Sequence, residues 1–297
     1  MNILITGGAG FIGSHLVDAL SKEKSNNVTI LDNFHSGNTN NIRSHVKNKK
    51  IKIINNDIRD YNSFKRIGSI DCIYHLAAQS NVSGSYFEPD YAFSSNVNGT
   101  YNILKYASKN KIKRFIFASS REVYGNPKYL PVNEKHPLNP INIYGATKVC
   151  GEVFCNTFSK LYGLKITILR IANVYGHRDK DRVIPIFLRN AKINKDLKLF
   201  GGRQVLDFIW IGDVIKSIID ISKDDKFIGE TINIGTGVGT SIESLAKTII
   251  KLTDSRSRII YKKPRNFDVE KFTAKSDKIK LKTMKLADGL KKMLSLN

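Results

Sequence analysis

Cysteine is scarce in this chain of 297 residues, where Cys72, Cys150 and Cys155 are all there are. An odd count with no C-x-x-C pair argues against a disulfide framework or a structural zinc site and points to a reducing cytoplasm. No metal is expected. No stretch approaches the ~18 consecutive apolar residues that a membrane span requires, so no membrane partner is expected. The N-terminus opens directly into a strand-like segment rather than a charged-then-apolar leader, which argues against a secretory signal. Acidic residues are also short, 26 against 48 basic, for a net charge of +22. Apolar residues still make up 41%, which excludes a disordered tail. The length suits one large α/β domain or two small ones with a real core.

The positive charge has a bland explanation and a functional one. Of the 48 cations 35 are lysine, and lysine, asparagine and isoleucine together supply 100 residues. AT-rich codons would supply that trio, leaving most lysines on solvated faces. A polyanionic partner such as RNA ranks second. Residues 251–297 are the most basic segment, with 14 Lys or Arg against 5 Asp or Glu.

Short apolar runs alternate with amphipathic stretches. Asn2–Thr6 (NILIT) reads as a buried strand, followed by Ile12, Leu16, Val17 and Leu20 at helical spacing. Strands are expected at 28–31, 52–54, 72–76, 114–118 and 165–171, with helices over about 98–108 and 144–161. That alternation predicts an α/β fold, a Rossmann-type doubly wound parallel sheet with helices on both faces. After Ile171 the rhythm loosens, as a smaller C-terminal substrate-binding lobe would. The expected division is residues 1–171 plus about 205–227 for the nucleotide-binding domain, and about 172–204 plus 228–297 for the lobe.

Between the first strand and helix lies Thr6-Gly7-Gly8-Ala9-Gly10-Phe11-Ile12-Gly13. Glycines there allow a tight turn and let backbone approach a pyrophosphate at a helix N-terminus. Strand, loop and helix come in the order that a dinucleotide site requires. Asp32 ends the second strand 19 residues after Gly13, placed to accept hydrogen bonds from a ribose and to repel a 2′-phosphate. With only Asn33, Phe34 and His35 beside it, NAD is expected rather than NADP. Asp57-Ile58 is a candidate for the adenine edge, an ordinary turn being the other reading of Asp57.

Tyr144 and Lys148 are four apart, on one face of a helix. A free phenol titrates near ~10, and an adjacent ammonium favours its ionised form. Ser119-Ser120-Arg121-Glu122 sits just past the fifth strand, which puts hydroxyls at the carboxyl end of a parallel sheet.

Gly7, Gly10 and Gly13, the run His75-Leu76-Ala77-Ala78-Gln79, Asn96 in SNVNGT, the Ser-Ser-x-x-Val-Tyr-Gly run ending at Gly125, and Tyr144-x-x-x-Lys148 resemble the extended short-chain dehydrogenase/reductases. More narrowly they are similar to the NAD-dependent sugar-nucleotide epimerase/dehydratase family, nearest its UDP-glucose 4-epimerases. The similarity covers essentially the whole chain, with the motifs in the family's order. It implies a bound NAD contacted by Gly7, Gly10, Phe11, Ile12, Gly13, Asp32, Asn33, Asp57, Ile58, Leu76, Ala77, Ala78, Gln79, Asn96, Tyr144 and Lys148. It further implies Tyr144 as the base on the sugar 4-hydroxyl, with Ser120 sharing the proton and Lys148 binding the nicotinamide ribose. Asn173 and Arg265 would hold the diphosphate of a UDP-sugar. Phe200 would stack on its base, with core packing as the other reading. Phe272 would narrow the pocket at C2, and a homodimer would form through helices at about 98–109 and 145–161.

Three departures qualify the likeness. Leu206 stands where the family usually has an arginine, so Arg203 or a nearby lysine would have to replace that cation. His177 replaces a proline and reads as a solvated loop residue. Arg121 replaces the acid that 4,6-dehydratases place before Glu122, and arginine stays protonated. The expected activity is therefore 4-epimerisation of UDP-glucose and UDP-galactose or a related UDP-hexose. Glu122 leaves 4,6-dehydration or sugar-acid decarboxylation open. A non-catalytic RNA-binding member of the fold is the distant alternative.

Overall fold

The computed structural model describes residues 1–46 and 51–295. The chain runs β1 (Asn2–Thr6), α1 (Phe11–Leu20), β2 (Asn27–Asp32), β3 (Ile51–Asn55), β4 (Cys72–His75), α2 (Val82–Phe87), α3 (Pro89–Phe93), α4 (Gly99–Lys109) and β5 (Arg114–Ser120). It continues through α5 (Ile143–Tyr162), β6 (Ile166–Ile171), β7 (Asn173–Tyr175), α6 (Val183–Lys192), β8 (Leu197–Phe200), β9 (Val205–Trp210) and α7 (Ile211–Lys223). β10 (Thr231–Ile234), β11 (Gly239–Ser241), α8 (Ile242–Leu252), β12 (Ile259–Lys262) and α9 (Leu286–Ser295) complete it.

Seven strands form one sheet in the order β10-β6-β5-β4-β1-β2-β3, parallel at every pairing. Its strands read as unbroken apolar runs because both faces are covered. Ile3 and Ile5 of β1, Ile116 of β5 and Leu169 of β6 face one core, with Leu16, Val17, Val214 and Ile218 of α1 and α7. Leu4, Phe115, Phe117, Ile166 and Ile168 face the other, with Ile103 and Leu104 of α4 and Cys155 and Phe158 of α5. The doubly wound α/β sheet is thus a Rossmann-type fold. A three-stranded sheet β11-β9-β7 and a parallel pair β12-β8 stand beside it.

Two assignments differ from the sequence reading. Thr231–Ile234 was expected in the lobe, yet β10 pairs in register with β6 as the edge of the main sheet. Residues 205–210, expected to return to that sheet, instead join β7 and β11. Only α7, which follows them, packs back against α1 and β6. The strand of the Ser119-Ser120 run also extends further than expected, and both serines close β5.

His75, at the end of β4, is sealed between two threonines, Nδ1 to Thr6 Oγ1 at 2.7 Å and Nε2 to Thr100 Oγ1 at 3.0 Å. Burial, reinforced by the nearby Lys148 charge, pushes its pKa down to about 3. The folded protein holds this ring neutral while the unfolded chain protonates it below about 6.5. Stability from this group is full above pH 6.5 and is lost as pH falls toward 3. The expected loss between pH 7 and pH 5 is about 2 kcal/mol. Denaturant unfolding of the wild type and of His75→Gln at both pH values should show that slope in the first and a shallower one in the second.

Candidate functional site

A cleft of about 780 Å³ opens across the carboxyl ends of the strands. It lies where the strand order reverses between β1 and β4, the crevice in which open α/β sheets bind ligands. Of the residues expected in a site, every one but Asn96 and Phe272 lines this single cleft, from Gly7, Gly10, Phe11, Ile12 and Gly13 at one end to Phe200 and Arg265 at the other.

At the dinucleotide end the glycines are sterically required. Gly7 has φ +73°, and a Cβ there would lie 2.7 Å from the backbone nitrogen of Ala77. A Cβ on Gly13 would lie 2.1 Å from the carbonyl oxygen of Gly7. Gly10 caps α1 without a side-chain bond, which leaves the helix's first N–H groups facing the cleft. Asp32 accepts from the backbone nitrogens of Ala9 (Oδ2, 2.9 Å) and Phe34 (Oδ1, 2.8 Å). Each oxygen keeps a lone pair for a ribose hydroxyl, and burial raises the carboxyl pKa. Asp57 is more than a turn residue. It chelates Arg59 at 3.0 and 2.8 Å and accepts from Asn33 at 2.8 Å, so that arginine's charge is already spoken for. Ile58 packs beneath Gly99. This cradle fits NAD: backbone for the pyrophosphate, a carboxylate for the ribose, and, among the described residues that line this end of the cleft, no lysine or arginine for a 2′-phosphate.

Asn96 is a correction. It lies in a widened helical turn, Ser94–Asn98, that joins α3 to α4, and it is buried outside the cleft. Its amide accepts from Gln79 N at 2.7 Å and donates to Gln79 O at 3.1 Å and to Thr147 Oγ1 at 2.9 Å. These bonds fasten the Leu76–Gln79 loop onto α5, so Asn96 shapes the wall beside the cleft.

At the chemical end, α5 starts from Asn142, whose side chain caps Gly145 N at 2.8 Å. Tyr144 faces the Ser120 hydroxyl, whose pull favours the ionised phenol. Burial pushes the phenol up to about 12, against the pull of that hydroxyl and of Arg182 and Arg121, while Glu122 pushes the same way as burial. The expected lowering by Lys148 is absent because its ammonium is turned to the Ala118 carbonyl at 2.8 Å and lies 5.9 Å from the phenol ring centroid. Burial brings Lys148 itself down to about 8.

Glu122 is fully engaged. Oε1 pairs with Arg121 Nη2 at 2.7 Å and Oε2 accepts from Asn142 at 2.8 Å, with both ion-pair side chains almost wholly buried. Arg121 also reaches Asn173 Oδ1 at 3.3 Å, and Asn173 donates to the Asp207 carbonyl at 3.2 Å. Arg265 pairs with Asp268 at 2.8 Å and lies over the rings of Phe200 and Phe267 at 5.0 and 5.3 Å. Phe200 is exposed in the cleft and is not core. Phe272 is core: it is 1% exposed, stacks on Tyr124 and does not line the cleft. Leu206 lines the cleft while Arg203 is exposed and does not, and Lys195 and Lys198 are among the cations that do. His177 is half-buried against Trp210 rather than solvated, and its carbonyl accepts from His15.

Arg182 was not foreseen. It precedes α6, bonds Asp179 at 3.1 Å and lies 5.5 Å over the Phe11 ring. Only the fold of the 176–182 loop back onto α1, held by Arg178–Asp18 at 2.6 Å, brings it near Tyr144. No local pattern in the sequence signals that return.

Fold and cleft define a nicotinamide-dinucleotide enzyme with a tyrosine–serine–lysine set at the sheet's carboxyl end. Residues 3–235 match the model of the NAD dependent epimerase/dehydratase family, and the chain belongs to that family. It is 42% identical to a putative UDP-glucose 4-epimerase of Methanocaldococcus jannaschii, over 90% of this chain and 87% of that protein. UDP-glucose 4-epimerase of Thermotoga maritima, solved with UDP-glucose, superposes with a TM-score of 0.93 at 34% identity, covering 99% of this chain and 98% of that one. UDP-glucuronic acid 4-epimerase of Bacillus cereus, solved with UDP-glucuronic acid and NAD, gives 0.93 at 31% identity over the same shares. Other relatives are a UDP-N-acetylglucosaminuronate decarboxylase of Bacillus cytotoxicus and a human dTDP-glucose 4,6-dehydratase. The cofactor is NAD. Among the described residues no helix is long and apolar enough to cross a membrane.

Gly13→Ala should purify without dinucleotide, because its methyl would have to displace the Gly7 carbonyl that shapes the cradle. Chromatography of the nucleotides released on denaturation checks this, with NAD expected from the wild type alone.

Proposed function

We propose that the chain catalyses 4-epimerisation of a UDP-hexose, of which UDP-glucose and UDP-galactose are the simplest pair. The observation that carries this reading is the engagement of Glu122 by a buried arginine and an asparagine, with no acid beside it. Dehydration removes the C5 proton, and its base needs a free carboxylate beside the sugar. Both oxygens of Glu122 are bonded to Arg121 and Asn142, and Arg121 stands where a dehydratase places its acid. What remains for proton transfer is Tyr144 with Ser120.

Gly7, Gly10 and Gly13, the α1 N-terminus and Asp32 would hold NAD, which when bound takes hydride from sugar C4 and gives it back. Tyr144, facing the Ser120 hydroxyl, takes the proton of the C4 hydroxyl and later returns it. Lys148, anchored at the Ala118 carbonyl 5.9 Å from the Tyr144 ring, offers its ammonium to the nicotinamide ribose. Asn173 and Arg265 bind the diphosphate, a job for which a planar guanidinium is suited. Phe200, exposed beside Arg265, offers a face to the base. The sheet-forming part thus serves the cofactor, and the segments around β7–β9 and β11–α9 serve the sugar nucleotide.

A homodimer fits the outer faces of α4 and α5, where Tyr101, Cys150, Val153 and Leu161 are exposed. Three free thiols, two of them buried, suit a reducing cytoplasm.

Two measurements follow. Purified protein should interconvert UDP-glucose and UDP-galactose without added reductant, read by NMR. Tyr144→Phe should lose about 10²-fold or more in kcat while retaining NAD. Glu122→Gln should stay within about tenfold of wild type, since general-base loss would cost at least 10²-fold. Equal losses in the two variants would remove the epimerase reading. Separately, Val153→Asp combined with Leu161→Asp should convert a sedimenting dimer to monomer.

A further inference from the structure

Cations crowd the reacting end of the cleft beyond what the chemistry above uses. Arg121 and Arg182 both act on the charge of Tyr144, from the end of β5 and the start of α6, and both line the cleft. Lys148 lies on the third side. Glu122 pairs with Arg121 and Asp179 with Arg182, which among the described residues leaves the Lys148 charge without a carboxylate partner and Asp179 Oδ2 without a hydrogen bond.

Neither arginine is satisfied. Arg121 is 8% exposed, gives Nη2 to Glu122 and Asn173, and leaves a buried Nη1 with no acceptor. An unmatched guanidinium N–H held away from water is costly, and a charged acceptor is its best remedy. Arg182 makes one hydrogen bond among the described residues, to Asp179, and its side chain is 38% exposed. Two planar forks with spare donors line the same cleft as the phenol that meets the C4 oxygen, and the charge of each bears on it.

The substituent of a hexose ring that ionises without altering the ring is a carboxylate at C6. C6 is attached to C5, the neighbour of C4, so a sugar with its C4 oxygen at Tyr144 carries C6 to the same guanidinium groups. We infer that the sugar is a hexuronate whose C6 carboxylate is held by Arg121 and Arg182. This rests on Tyr144 being the group that meets C4. A hydroxymethyl at C6 would offer a neutral acceptor and leave the cationic excess unmatched.

The test compares UDP-glucuronate with UDP-glucose on the NAD-loaded protein, with products read by NMR. Wild type should favour UDP-glucuronate in kcat/KM by about tenfold or more, the worth of one charge-assisted contact. Arg182→Gln and Arg121→Lys should each reduce that ratio by about tenfold, lysine being a poor replacement for a fork. Arg121→Lys keeps a cation beside Glu122, so the fold is not put at risk by a lone buried charge. UDP, which has no sugar, should keep its affinity in both variants.

Equal or better turnover of UDP-glucose by wild type would overturn the carboxylate assignment and leave the epimerase reading standing. Parallel losses for both sugars and for UDP would overturn it too, since the arginines would then be holding the nucleotide or the fold. Turnover of neither sugar would remove both readings. Arginine-dependent loss of C6 as carbon dioxide would uphold carboxylate recognition and remove 4-epimerisation.

Discussion

Arg170 and Glu152 meet in a bidentate ion pair sealed between β6 and α5, at 3.0 Å through Nε–Oε1 and 2.6 Å through Nη2–Oε2. Much of the chemical site hangs on it. Glu152 lies four residues after Lys148 and eight after Tyr144, so the clamp fixes the rotation and register of the face that carries both. The other arm of Arg170 donates to Tyr124 OH at 2.9 Å, and Tyr124 donates in turn to Asn233 on β10 at 2.7 Å. Ser119, at the end of β5, donates to the same carboxylate. One guanidinium thereby ties helix, active strand, turn and edge strand together. Removing either partner of such a buried pair costs about 3–5 kcal/mol, because it strands the other charge.

The two walls of the crevice are each pinned by one short polar side chain. Asp32 holds the glycine loop through Ala9 N, and Asn96 holds the Leu76–Gln79 loop against Thr147. The carboxylate offered to a ribose is thus also the strut of the pyrophosphate loop, so cofactor choice and loop shape are coupled. Positioning by packed and hydrogen-bonded neighbours is what a reacting centre needs if its geometry is to hold to within fractions of an ångström.

Much of this was legible beforehand, for identifiable reasons. The strands from β1 to β6 announce themselves because each is an apolar run covered on both faces, and the glycine spacing because three positions admit no Cβ or cap the helix. What stayed hidden depends on chain segments far apart. β10 is four residues long and reads like a lobe strand until β6 is seen beside it. Asn96 carries a strong positional signal but no sign of whether its amide faces ligand or loop. Arg121 and Glu122, adjacent in sequence, would point to opposite sides in a strand. They pair only because Arg121–Tyr124 coils into a tight 3-10 turn. Arg182 reaches the phenol solely through a returning loop.

The placement of β10 has a consequence for how such a molecule can vary. The chain leaves the main sheet after β6, builds β7 to β9, and must come back through α7 to lay down β10 before it leaves again for β11 onward. The sugar-facing part is therefore stitched through the cofactor-binding part and is not a cassette appended to its end. No single cut separates the two without stripping the sheet of its border strand. Exchange of whole lobes by recombination is closed to this topology, and new substrate preferences have to arise by changing individual side chains along the seam.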